Sequence, residues 1–124
     1  MKEKINEIIA LALGIGDEAV TPDAHLVKDL GAESIDFLDL TFRLERGFNI
    51  KIPRDELFPE SIFQANEEYF KDEKITDQGM EHLKQSLPFC NDFKNVELER
   101  TRDSVKSLFT VEFIYKYIDW KLKL

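Results

Sequence analysis

The chain has 124 residues, which suits one domain and leaves little room for two independent cores. Hydrophobic residues make up 43% and charged residues 34%, the balance of a folded globular chain rather than a disordered one. Asp and Glu outnumber Lys and Arg 25 to 17, so the net charge of −8 argues against nucleic-acid binding and favours basic protein partners or divalent cations.

The N-terminus places Lys2 and Lys4 before an apolar stretch, in the manner of a signal peptide, but Glu3 and Glu7 interrupt that charge pattern. Ile5, Ile8, Ile9, Ala12 and Leu13 instead share one helical face. The spacing predicts a first helix over about Lys2 to Leu13, ending at Gly14 or Gly16. A loop with the turn signal Thr21-Pro22-Asp23 follows, then an apolar segment from Leu26 to Gly31. A second helix is expected from Ser34 to about Arg46, with Gly47 as a left-handed stop. Its apolar residues form a stripe wider than a surface helix needs, with Leu38, Phe42 and Glu45 on one face.

Phe48 to Pro53 alternates like a strand but lacks a pairing partner, so it reads as an extended, docked connection. Pro53 is placed to open a short helix through Phe58, and Pro59 to stop it. Thr76 reads as the N-cap of a helix carrying Met80, Leu83 and Leu87, which Pro88 ends. Asn91 to Arg102 reads as loop or short helix. A last helix begins near Thr110 with two apolar stripes: Val111, Ile114, Ile118 and Leu122, then Phe113, Tyr117, Trp120 and Leu124. The second stripe predicts that Phe113 or Trp120 packs on the middle of the chain. No strand pair stands out, so the expected fold is all-α. No segment reaches the roughly 20 apolar residues of a membrane span. Cys90 is the one cysteine, which excludes an internal disulfide and suits a cytoplasmic protein.

The informative stretch is Asp29-Leu30-Gly31-Ala32-Glu33-Ser34-Ile35-Asp36. Ser34 has two readings. One is an N-cap, for which Ser is among the best residues and whose loss to Ala costs about 1 kcal/mol. The other is a hydroxyl that takes a phosphate ester, since a helix N-terminus favours an anion. His25, His82 and Cys90 lack metal-ligand spacing, and Ser34, His25 and Asp29 lack the strand-elbow setting of a hydrolytic triad.

This stretch resembles the signature of the acyl carrier proteins, Asp-x-Gly-x-Asp-Ser-Leu/Ile-Asp/Glu at the start of the second helix. Asp29, Gly31, Ser34, Ile35 and Asp36 match it, and Glu33 stands where Asp is usual. The resemblance runs upstream through Asp23 to Lys28, downstream through Leu38-Asp39-Leu40, Leu44-Glu45 and Phe48 to Pro53, and resumes at Thr110-Val111 and Tyr117-Ile118. It implies an acyl-carrier-type four-helix bundle over residues 1–124, a single domain enlarged by a helical insertion at about 59–107. The third helix then falls at Arg54 to Phe58 or near Asp103 to Leu108. Enlarged carriers of this kind are similar to dedicated carriers for special acyl chains, such as those of lipopolysaccharide lipid or secondary lipids.

The resemblance further implies that Ser34 carries 4′-phosphopantetheine, attached from coenzyme A by a phosphopantetheinyl transferase. The protein is then a carrier of thioester-bound acyl intermediates in fatty-acid or specialised lipid synthesis, monomeric, and not itself an enzyme. Leu38, Leu40, Phe42, Leu44 and Ile52 are candidates for an acyl-chain lining, with a plain core role open for each. Glu33, Asp36, Asp39 and Glu45 are expected on the exposed side of the second helix, as a docking face for basic patches on synthases and transferases. Asp29 to Glu60 holds eight acids against four bases, and Arg43 and Arg46 break the acid run. Two alternatives are an unmodified acidic adaptor and a polyketide or peptidyl carrier. Ala32-Glu33 before Ser34 favours the acyl type over the peptidyl one.

Overall fold

The computed structural model describes residues 1–53, 55–59 and 68–124. The first helix, α1, spans Lys2–Leu13 and ends where Gly14 turns left-handed at φ 66°. Its buried residues are Ile5, Ile9 and Ala10; Ile8, Ala12 and Leu13 of the expected stripe are half-buried against the core, and Ala10 lies outside that stripe. A 3₁₀ turn at Asp17–Ala19 follows, and the loop then packs Val20, Ala24 and Leu26 into the core.

The second helix, α2, spans Ser34–Phe48, two residues longer than expected. Asn49, at φ 53°, makes the left-handed exit assigned to Gly47. Gly47 lies inside the helix for a packing reason: a Cβ there would stand 2.8 Å from the Ile8 Cδ1 of α1. Leu40 and Leu44 are the buried residues of α2.

Beyond Pro53 the expected short helix is absent from residues 55–58; Arg54 lies outside the described residues. These residues form a turn, closed by the Glu56 N–H on the Pro53 carbonyl at 3.1 Å. Asp55 sits at φ 68°, which a right-handed helix does not admit. The Glu56 carboxylate is drawn to the last helix, accepting from the Tyr117 hydroxyl at 2.6 Å and Lys121 at 2.7 Å.

The middle of the chain contains a two-stranded antiparallel hairpin, β1 at Phe70–Lys71 and β2 at Lys74–Ile75. Asp72 and Glu73 between them have φ 53° and 65°, both positive as a type I′ turn requires. The helices that follow are α3 at Asp77–Ser86, α4 at Lys94–Glu99 and α5 at Arg102–Lys106. Thr76 caps α3 through the Gly79 N–H at 3.0 Å, as expected. Thr101 caps α5 in the same way through Ser104. Of the two places expected for a third helix, 55–58 is a turn, and Asp103 to Leu108 overlaps the short helix α5. Arg100 ties hairpin to helices: its carbonyl accepts from Ile75 N–H at 2.7 Å and its guanidinium pairs with Asp77 at 3.0 Å.

The last helix, α6, spans Val111–Leu122, capped by Thr110 through the Phe113 N–H. A short backbone ladder locks its start to the first loop: Leu26 N–H to Phe109 carbonyl, Val111 N–H to Ala24 carbonyl. The two stripes of α6 go to two places. Val111, Ile114 and Ile118 are fully buried in the bundle. Phe113, Tyr117 and Trp120 surround Phe89, with ring centroids 5.0, 5.2 and 5.7 Å away. The middle of the chain therefore packs on the second stripe through Phe89. Among the described residues the fold is all-α apart from one small hairpin.

Candidate functional site

Ser34 is the first helical residue of α2, not its N-cap. Glu33 holds the cap position with extended backbone, and its N–H donates to the Asp36 carboxylate at 2.8 Å. This corrects the capping reading of Ser34. The serine is exposed, and its hydroxyl makes no hydrogen bond among the described residues. The first amides of α2 lack the i−4 acceptor of a helix interior, and the third, Asp36 N–H, is taken by Glu33 at the cap, so the hydroxyl stands at the positive end of a helix of 15 residues.

The loop before the helix sets this placement. Asp29 accepts the His25 N–H at 2.8 Å and contacts His25 Nδ1 at 3.1 Å. That backbone hydrogen bond, first among its causes, lowers the Asp29 carboxyl below its ordinary value of 3.8. Gly31 then turns left-handed at φ 71°, and Ala32 packs into the core with its N–H on the Leu26 carbonyl. The Asp and Gly of the motif are thus devices that aim the chain at Ser34.

A groove of about 650 Å³ begins at Ser34 and runs along α2. One wall is Ile35, Leu38, Thr41 and Phe42 of α2, and the other is Ile52 and Pro53. Leu57 and Phe58 form its floor. Three of the five candidate lining residues, Leu38, Phe42 and Ile52, come together here. Leu40 and Leu44 do not line this groove: they are 1% and 0% exposed and sit in the core cluster. Ile35, Leu57 and Phe58 were not anticipated. Ile35 carries a signal, since Ile35, Leu38 and Phe42 stand at i, i+3 and i+7, whereas Phe58 lies past an irregular turn that no periodicity marks.

The acids of α2 are less uniformly exposed than expected. Glu33 is exposed, but Asp36 and Asp39 are half-buried by their partners, Glu33 N–H and Arg43 Nε at 2.9 Å. Glu45 faces the groove, and its carboxylate accepts the Ile52 N–H at 2.8 Å. It pins the exit of α2 to the helix rather than standing free on the outer face. Among the described residues no cluster of His, Cys, Asp and Glu is placed to hold a metal ion, and no helix is long and apolar enough to cross a membrane.

The family model of the phosphopantetheine attachment site matches residues 3–61. An acyl carrier protein of Syntrophobacter fumaroxidans is 45% identical over 56 residues, covering 45% of this chain and 69% of that protein. One of Helicobacter pylori is 40% identical over 75 residues, covering 59% of this chain and 94% of that one. The acyl carrier protein AcpXL of Brucella melitensis is 41% identical over 54 residues, 44% of this chain and 58% of that protein. A phosphopantetheine-bearing helical carrier is the class that fold, motif and matches define together. The chain belongs to the acyl carrier proteins, and its function is acyl carriage on 4′-phosphopantetheine. Members of the family are carriers rather than enzymes and work with synthases and transferases.

Proposed function

We propose that Ser34 is the attachment residue and that the chain delivers thioester-bound acyl intermediates in fatty-acid or specialised lipid synthesis. The carrying observation is an exposed serine hydroxyl, without a hydrogen bond among the described residues, at the start of α2 and the mouth of an apolar groove. When bound, 4′-phosphopantetheine supplies a flexible arm whose terminal thiol holds the acyl group as a thioester. The residues present fit that group. The opening amides of α2 favour the phosphodiester, and the left-handed Gly31 and small Ala32 leave Ser34 open to a phosphopantetheinyl transferase. Leu38, Phe42 and Ile52 offer an apolar rest for the chain.

Glu33, Asp36 and Asp39 form the docking face for basic patches on the transferase and on acyl-transfer enzymes, acting mainly on association rate and partner choice. Glu45 acts there indirectly, through the position of Ile52. The protein works as a monomeric cytoplasmic carrier, without catalysis of its own, and residues 1–124 act as one domain. Support for the last comes from the backbone ladder between the first loop and α6 and from Phe89 on α6.

The test is the intact mass after incubation with coenzyme A and a broad-specificity phosphopantetheinyl transferase. The native chain is expected to gain one phosphopantetheine, and Ser34→Ala none. Because Ser34 is not the cap, Ser34→Ala is expected to shift stability by only about 0.5 kcal/mol or less in a thermal melt. No mass gain on either the folded native chain or Glu33→Asp would overturn the reading in favour of an unmodified adaptor.

A further inference from the structure

We propose that a charged strip of α2 is read in two signs: a partner enzyme sets basic side chains over its Ser34 end and acidic ones over its far end. The inference rests on the docking face of the proposed function and adds a second contact of opposite charge. Asp36, Asp39, Arg43 and Arg46 stand at i, i+3, i+7 and i+10, so they line one stripe of the helix. Along that stripe the charge changes sign once. Glu33 and Asp36 hold the Ser34 end and Arg46 the far end, and the Asp39–Arg43 pair at 2.9 Å joins them.

Two neighbours extend the basic end. Lys4 of α1 lies against it: its Cε is 3.6 Å from where a Cβ of Gly47 would stand, and its Nζ is 4.9 Å from the centre of the Phe48 ring. Glu3 and Glu7 lie about 100° and 60° round α1 from Lys4, away from α2. Lys51 is exposed just past the helix, where Glu45 holds the chain through the Ile50 and Ile52 amides. Lys4, Arg46 and Lys51 are exposed and form no ion pair among the described residues.

Distance decides that the two ends act separately. Asp36 and Arg46 are about 15 Å apart along the helix axis. The Debye length is about 10 Å at 0.1 M salt, so a group over one end feels that end before it feels the net charge of −8. An unbroken basic patch is attracted at Glu33 and Asp36 and repelled at Arg46, Lys4 and Lys51. An acidic patch at the second place turns that repulsion into attraction, so the strip selects its partner and fixes which way it lies. Anionic bilayers and nucleic acids present one sign only, so the occupant is a protein surface that carries both.

The probes are three stapled helical peptides of equal length, with binding to the full chain read by fluorescence anisotropy and by its amide shifts. One carries Lys along a whole face. The second carries Lys over one end and Glu over the other, the two groups about 15 Å apart. The third has the composition of the second with Lys and Glu interleaved, so the net charge is the same. The two-signed peptide is expected to bind about tenfold more tightly than the interleaved one near 0.1 M salt, through several exposed pairs of small individual effect. It is expected to shift amides in both 33–39 and 43–51. Arg46→Glu with Lys51→Glu is expected to erase the preference and raise affinity for the all-Lys peptide about tenfold. Arg46→Gln with Lys51→Gln is expected to erase the preference without that rise, and serves if the Glu variant fails to fold. A two-signed peptide that binds no better than the interleaved one would overturn the proposal, and so would a preference that survives the variants. Sedimentation with phosphatidylglycerol vesicles that Arg46→Gln with Lys51→Gln abolishes would overturn it in favour of a lipid surface. An all-Lys peptide that leaves 33–39 unshifted counts against the docking face itself, whereas shifts there without a two-signed preference count against this proposal alone.

Discussion

At the residue scale, each part of the motif has its own task. Asp29 shapes the loop, Gly31 supplies the positive φ, Glu33 caps the helix and Ser34 is left exposed. Asp29 gives a pH prediction. Its folded carboxyl is acidified by the His25 N–H, so the unfolded chain binds a proton there more readily. The contact then contributes stability in full above the unfolded value, and that contribution is lost as pH falls through the folded one. Carbon-detected titration is expected to place Asp29 below the ordinary 3.8, with the His25 amide shift following the same curve. Asp29→Asn should remove that step from the acid limb of the stability profile. An Asp29 that titrates at its ordinary value would sink the assignment of the loop to this hydrogen bond.

At the element scale, legibility in the sequence followed regularity. The helices α1, α3 and α6 were readable because cap, apolar period and stop agree: Gly14 after α1, Thr76 before α3 and Thr110 before α6. The docking of the second α6 stripe was readable too, since an apolar face must find cover. The hairpin was not, because Asp72-Glu73 adopts the positive-φ turn without the Asn-Gly signal that marks it. Nor was the 55–58 turn, which tertiary bonds from Glu56 define. Two variants test these irregular elements. At Gly79 an added Cβ would stand 2.6 Å from the Tyr69 carbonyl oxygen and 2.7 Å from Ile75 Cγ1. Gly79→Ala should therefore destabilise by about 1–3 kcal/mol in urea unfolding, although Ala is the better helix former. An increase in stability would show that the hairpin is not held against α3. Glu56→Ala removes the shared acceptor of Tyr117 and Lys121, in a pair only 17% and 23% exposed at the lysine and glutamate. A loss of about 1.5–3 kcal/mol is expected, the range for hydrogen bonds to charged groups. An unchanged urea midpoint would mean that the turn keeps its place without this latch, and Phe58 with it.

At the scale of the whole molecule, charge and fold pull in opposite directions. The ion pairs Asp39–Arg43, Asp77–Arg100 and Asp119–Lys123 are on the surface, where such pairs contribute little. The net charge of −8 therefore remains as self-repulsion in a fold that buries a core of modest size. Salt screens this repulsion, with a Debye length of about 10 Å at 0.1 M and about 3 Å at 1 M. The melting temperature is expected to rise with added NaCl. Magnesium tests whether the gain is diffuse or site-bound. No acid cluster among the described residues is arranged to hold a metal, and the acids of α2 are engaged by Glu33 N–H, Arg43 and Ile52 N–H. At matched ionic strength MgCl₂ should then raise the melting temperature by about as much as NaCl. A much larger rise with magnesium would point to a specific cation site. A melting temperature indifferent to both salts would show that the acids are spread widely enough to repel one another only weakly. In that case the negative charge of α2 carries no cost to the fold.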